Sequence, residues 1–240
     1  MDASITGVWK NIVKAKMDIG KINLNFHDIF KMHVDPSSQN PEKWRCALNQ
    51  HGLYTVEVVR SKMDEMQYSD SPQVVSWRKE IPIKVVGFVW KAAQGRIPSA
   101  AALNARGIPI STTACGRCGD LEDADHILVT CPFAAQVKDM VSDWCGVQLH
   151  QFRDVKSILE CVKHWGRCPK KRRILTMVVY GMFWRLWNFR NEKIFRSKNV
   201  AAAWARDDIK STVFFWVKHR GNFGICNWHN WCSSPFDFCN

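Results

Sequence analysis

Apolar residues recur at intervals of three and four over most of this chain, and that spacing predicts a mainly α-helical protein. The clearest stripe is Val85, Phe88, Val89 and Ala92, with Lys84 and Lys91 off that face. Gly95 can end this helix and Pro98 cannot continue it. Ser99 is placed to cap a short second helix over 100–106, which Gly107 and Pro109 close. A third helix is expected from Pro132 to about Trp144, with Ala134, Val137, Val141 and Trp144 facing inward. Further helices are expected over 155–165, 171–195 and 200–220, whereas the tail from Gly221 has no clear period. Nearer the N-terminus, residues 1–35 read as helical in pieces, with Val8, Trp9, Ile12 and Val13 on one stripe. Residues 36–41 are a breaker-rich loop, and 44–58 read as a short β-hairpin about a His51-Gly52 turn. A short helix over 58–66 and a loop over 69–72 complete the reading, which divides the chain at 1–60, 61–145 and 146–240.

Composition adds a core and a charge. The chain has 240 residues, 46% of them apolar, which is enough to bury a substantial interior. Its net charge of +12 biases it toward polyanions, nucleic acid above all. The apolar run from Ile174 to Phe189 is too short for a membrane span and contains Arg185, so it reads as a buried helix. The start, Met1-Asp2-Ala3-Ser4-Ile5-Thr6, lacks the basic and apolar regions of a secretory signal. The expected setting is therefore intracellular, nuclear or cytoplasmic, with no membrane partner and with reduced thiols. In that setting clustered cysteines read as metal ligands rather than disulfides.

Such a cluster is present. Cys115, Cys118, His126 and Cys131 follow the pattern C-x2-C-x7-H-x4-C, a complete N/S ligand set for a closed tetrahedral Zn²⁺ site of structural type. Gly116 and Gly119 supply freedom for the turn between the first two thiols. Pro132 suits the first position of a helix, which would put Cys131 at the N-cap, where the dipole favours its thiolate. Four protein ligands leave no position for a water or a small-molecule substrate, so hydrolytic zinc is not expected. The mainly α fold is thus expected to carry a Cys3His zinc knuckle between helices.

The knuckle itself is acidic, with Asp120, Glu122, Asp123 and Asp125 against Arg117 alone. Basic residues lie upstream: Arg78, Lys79, Lys84, Lys91, Arg96 and Arg106. The expectation is that the knuckle orients this helical pair, and that Lys84, Lys91, Arg96 and Arg106 meet the nucleic-acid backbone. A second run, Lys170-Lys171-Arg172-Arg173, reads as a phosphate-contact patch or nuclear-localisation signal. Trp184 and Trp187 follow it at core spacing. In the tail, Cys226, His229, Cys232 and Cys239 match no ligand spacing and read as packing.

The order of features is specific. Trp77 comes first, then Ile81-Pro82-Ile83-Lys84, Phe88-Val89-Trp90, Arg96-Ile97-Pro98-Ser99, Leu103, Arg106-Gly107-Ile108 and the Cys/His run. This resembles the reverse-transcriptase zinc-binding domain found C-terminal to the polymerase in plant LINE-type (non-LTR) retrotransposons, over roughly residues 50–145. Weaker likenesses extend outward, to Gly52-Leu53-Tyr54-Thr55-Val56-Glu57-Val58 upstream and to Phe183 through Phe195 downstream. The resemblance implies a zinc-stabilised accessory region that positions template RNA or target DNA for a reverse-transcriptase domain encoded elsewhere. The paired aspartates of the polymerase itself are not found in their aromatic-x-Asp-Asp setting. The one Asp-Asp pair, Asp207-Asp208, follows Ala205-Arg206 in a helical stretch and reads as solvated surface. The chain is therefore expected to be a detached, non-enzymatic part of a retroelement polyprotein. The competing expectation is a zinc-stapled protein-interaction domain that binds no nucleic acid.

Overall fold

The computed structural model describes residues 30–34, 42–47, 55, 58, 74–221, 223–224 and 227–236. The chain forms two compact units, Met1–Pro72 and Gln73–Asn240. In the first, strands β1 (Phe30–Val34) and β2 (Glu42–Cys46) pair antiparallel, with Phe30 opposite Cys46 and Val34 opposite Glu42. This corrects the expected hairpin at 44–58, which is not supported. Residues 44–46 are extended, but their partner among the described residues lies upstream. Phe30-Lys31-Met32-His33-Val34 alternates apolar and polar residues, a period-2 signal that a helical reading of 1–35 overrides. The stripe at Val8–Val13, the His51-Gly52 turn and almost all of the 58–66 helix lie outside the described residues.

The second unit is helical. Helix α1 (Ile83–Ala93) buries Val85, Phe88, Val89 and Ala92 as its pattern requires, with Val86 and Ala93 added. Gly95 ends it at φ +64°, and the Arg96 N–H returns to the Lys91 carbonyl at 2.8 Å. Helix α2 (Ala100–Ala105) starts at Ser99, whose hydroxyl accepts the Ala102 N–H at 3.3 Å. Helix α3 (Pro132–Cys145) ends on Gly146 in the left-handed region at φ +61°. Helix α4 (Val155–His164) is capped by the Asp154 carboxylate, which accepts from Ser157 N–H at 2.8 Å.

Helix α5 (Pro169–Arg196) is the centre of this unit. It is apolar on every side from Ile174 to Phe183, the mark of a helix packed all round. It packs against α1, α4 and α6 (Ala202–Arg220). Arg185, the one charge within the apolar run, is balanced by Asp208 of α6. Among the described residues no helix is long and apolar enough to cross a membrane. One buried cluster runs from Val75 to Trp231, so residues before and after Cys145 share a core.

A last helix, α7 (Trp228–Ser233), lies in the tail where no period is visible. Trp231 is its most buried anchor, while Trp228 packs edge-on against Phe214 at 5.0 Å and the Cys232 carbonyl accepts from Lys210 Nζ at 2.9 Å. Trp231 is fully buried, donates from Nε1 to the Lys210 carbonyl at 2.9 Å, and meets the Trp144 ring edge-on at 5.1 Å. The Trp144 indole in turn donates to the Trp231 carbonyl at 2.9 Å.

Candidate metal centre

The segment between α2 and α3 has little regular structure, and its few hydrogen bonds fold it into a knuckle. Ala114 and Leu121 form an antiparallel bridge, and the Glu122 N–H reaches the Thr113 carbonyl at 2.9 Å. Within that loop Cys115 N–H donates to the Asp120 carbonyl and Gly119 N–H to the Cys115 carbonyl at 2.9 Å. Gly119 sits at φ +88°, a conformation that disfavours any residue with a Cβ. The chain then enters a single π-helical turn, His126–Thr130, closed by the Cys131 N–H on the His126 carbonyl at 2.8 Å. The Asp123 carboxylate accepts the His126 N–H at 2.7 Å and fixes where that turn begins. The wide turn puts His126 and Cys131 on one side, facing the two knuckle thiols.

The result is one cluster. The ligand atoms of Cys115, Cys118, His126 and Cys131 all lie within 4.8 Å of one another. His126 Nε2 is 3.2 Å from Cys118 Sγ. A tetrahedral ion with Zn–S of about 2.3 Å and Zn–N of about 2.0 Å needs ligand separations on the order of 3.5–3.8 Å, so the donors fit zinc. Cys115, His126 and Cys131 are buried, and Cys118 is the most open of the four. All three cysteines are free thiols.

Without a cation the Cys118 and Cys131 thiols of the cluster hold their protons. Burial, with the neighbouring thiols, pushes the Cys118 thiol up to about 12 and raises that of Cys131. The N-cap argument for a Cys131 thiolate therefore needs correction. Backbone N–H groups of Phe133 and Ala134 do stabilise its charged form, but burial outweighs them. Arg117, the one basic residue of the knuckle, lies over the Phe133 ring at 4.0 Å. A divalent ion would supply the positive charge that three thiolates need.

The acidic face of the knuckle is smaller than its sequence implies. Glu122 is 2% exposed and turned inward. Its Oε1 accepts the Ala100 N–H at 3.1 Å, at the start of α2. Arg190 of α5 grips both carboxylate oxygens, with Nε at 3.1 Å from Oε2 and a parallel bond from Nη2 to Oε1. Asp125 is likewise engaged, accepting the Val155 N–H at 2.9 Å where α4 begins. Two of the four acids thus tie the knuckle to α2, α4 and α5. The sequence signal for Glu122 and Arg190 is only the family-like helix that contains Arg190-Asn191, since the pair is separated by 68 residues.

The basic residues fall into two groups. Lys84, Lys91, Arg96 and Arg106 are all exposed. Lys84 lies 5.7 Å over the Trp184 ring, and Arg106 donates to the Arg96 carbonyl at 3.0 Å. In the second run Lys170 and Lys171 are half-buried. Arg172 donates to the Trp165 carbonyl at 2.8 Å and also to that of Gly166, bracing the turn between α4 and α5. Arg173 pairs with Glu80, which is 4% exposed, and covers the Phe223 ring at 5.0 Å. Trp184 and Trp187 pack on Phe88 at 5.4 and 5.8 Å, as core residues. Asp207 and Asp208 do not converge on a shared site. Asp208 pairs with Arg185 and Asp207 with its neighbour Arg206. Of the tail cysteines, Cys226 and Cys239 lie outside the described residues.

Residues 54–137 match the family model described as zinc-binding in reverse transcriptase. The matched stretch contains all four cluster residues together with α1 and α2. No curated protein and no solved structure matches the chain.

Proposed function

We propose that this chain is a non-catalytic, zinc-stapled module that binds nucleic acid on behalf of a LINE-type (non-LTR) reverse transcriptase of the plant retrotransposon class. The observation that carries the reading is the closed Cys3His cluster, fastened by Glu122 to both α2 and Arg190 of α5. Bound zinc supplies cross-linking and folding free energy, on the order of 10–16 kcal/mol in small zinc-dependent peptides. What the site supports is positioning rather than chemistry. It ties the knuckle to the start of α2 and to α5. Lys84 and Lys91 on α1, Arg96 in the loop after it and Arg106 at the end of α2 are exposed. Those four cations suit the phosphate backbone of template RNA or target DNA, which a partner polymerase would then copy or prime.

The test is the salt dependence of binding. Joint substitution Lys84→Ala, Lys91→Ala and Arg96→Ala is expected to weaken binding of a labelled oligonucleotide. It should also reduce the slope of log K against log salt by up to about 2–3, since each lost phosphate contact removes roughly 0.7–0.9. An unchanged slope would remove these residues from the interface. A second reading is favoured by a separate observation: Ile194, Phe195 and Trp204 are 45%, 76% and 50% exposed near the junction of α5 and α6. Under that reading the zinc holds a protein-docking face, and the chain self-associates without binding any oligonucleotide.

A further inference from the structure

Ahead of α1 the chain makes a short rim, residues 76–82, that is held from behind at four points. Tyr180 of α5 accepts the Ser76 N–H at 2.8 Å. Glu80 turns inward to Arg173 of α5. Ile81 is buried in the core at 1% exposure. Arg220, at the end of α6, donates to the Lys79 carbonyl at 3.1 Å. A rim fixed in this way leaves its other side chains on the outside. They border a groove of about 550 Å³, formed with Ile83, Lys84 and Arg220.

The lining is unusual in its charge and in its aromatic. Arg78, Lys79, Lys84 and Arg220 face it, and among the described residues no carboxylate does. The one acid of the rim, Glu80, is buried and neutralised behind it. Trp77 is 50% exposed here, and Ile83 beside it is 71% exposed. Four cations around an indole face match the needs of a nucleotide chain. Phosphates are met by guanidinium and ammonium groups, and an unpaired base is met by a ring. A duplex hides its base faces and has no use for such a ring, whereas a single strand presents them.

We propose that this groove is a single-stranded nucleic-acid site, in which Trp77 stacks on a base while Arg78, Lys79, Lys84 and Arg220 hold the flanking phosphates. This rests on the nucleic-acid reading above and sharpens it, from a basic helix face to a strand-selective groove. Arg220 joins the site from more than a hundred residues away, which no local motif announces.

The experiment uses the full chain and four probes: a single-stranded oligonucleotide, the same length of abasic strand, the matching duplex, and polyglutamate. Wild-type protein is expected to bind the base-bearing strand roughly five- to a hundredfold more tightly than the abasic one, the range of one base–aromatic stack. Trp77→Ala should abolish that preference, Trp77→Phe should restore much of it, and Arg78→Ala with Lys79→Ala should weaken both strands alike. Unchanged thermal melts establish that each variant is folded. Equal binding of base-bearing and abasic strands by the wild type, or a preference that survives Trp77→Ala, would overturn the groove. So would polyglutamate competing as well as the base-bearing strand, which would reveal a general polyanion patch. If Lys91→Ala with Arg96→Ala weakens binding while Trp77→Ala does not, the groove fails and the broader reading stands. If the wild type binds no oligonucleotide, both fail.

Discussion

Glu122 brings a carboxylate into a place where water cannot solvate it, and the fold answers with three hydrogen bonds. Two come from the Arg190 guanidinium and one from the Ala100 backbone. Removing one partner of such a pair strands the other charge, which costs about 3–5 kcal/mol, whereas replacing both by apolar groups is often neutral. Glu122→Gln is therefore expected to lower the denaturation midpoint sharply, and Glu122→Leu with Arg190→Met to recover most of the loss. Equal damage from the single and double substitutions in urea melts would contradict this account. The pair was not legible in the sequence, where Glu122 counts as one more acid on an acidic knuckle. Burial is a tertiary property, and its partner is remote in the chain. The cluster at Cys115, Cys118, His126 and Cys131 was legible because metal geometry constrains local spacing, so the ligands stay close in sequence. The sulfur acidity was not, since the helix-end argument for Cys131 lacks the burial that opposes it.

At the scale of elements, the buried stripe Val85, Phe88, Val89 and Ala92 of α1 was readable, because an amphipathic helix declares itself by period. Helix α5 was readable as a long buried helix over 171–195, but not which neighbours it packs against, because a helix buried all round has no face to reveal. Its packing shows at Gly181, where an added Cβ would lie 2.5 Å from Val213 Cγ2 of α6. Alanine ordinarily stabilises a helix over glycine by about 1 kcal/mol. Here overpacking against a stiff β-branched side chain is expected to dominate, so that Gly181→Ala destabilises by about 1–3 kcal/mol. A raised melting temperature for that variant would show that α5 and α6 stand further apart. Helix α7 is not legible in the sequence because its six residues are too few to display a helical period. Trp231→Ala should cost about 3–5 kcal/mol and expose the tail to proteolysis ahead of α6. Strand β1 was missed for a different reason, since five alternating residues are too few to outweigh a helical reading of the segment around them.

At the scale of the whole molecule, the net charge of +12 is not spread evenly in its use. Arg172, Arg173, Arg185 and Arg190 are spent on carbonyls, carboxylates and rings inside the fold. Lys84 and Lys91 of α1, Arg96 in the loop after it and Arg106 at the end of α2 remain exposed. Sequence alone counts both groups as one basic character, because charge can be read from composition while its direction cannot. In the proposed function, the zinc cluster is the part that keeps the outward-facing cations in a fixed arrangement.

That role is tested most directly by metal content measured together with binding. Purified chain should contain one zinc by elemental analysis, and a strong chelator should remove zinc and oligonucleotide binding together. Restoring zinc should restore binding, and Cys131→Ser should show neither. Zinc far below one per chain, or oligonucleotide binding that persists unchanged after the zinc is gone, would contradict the account.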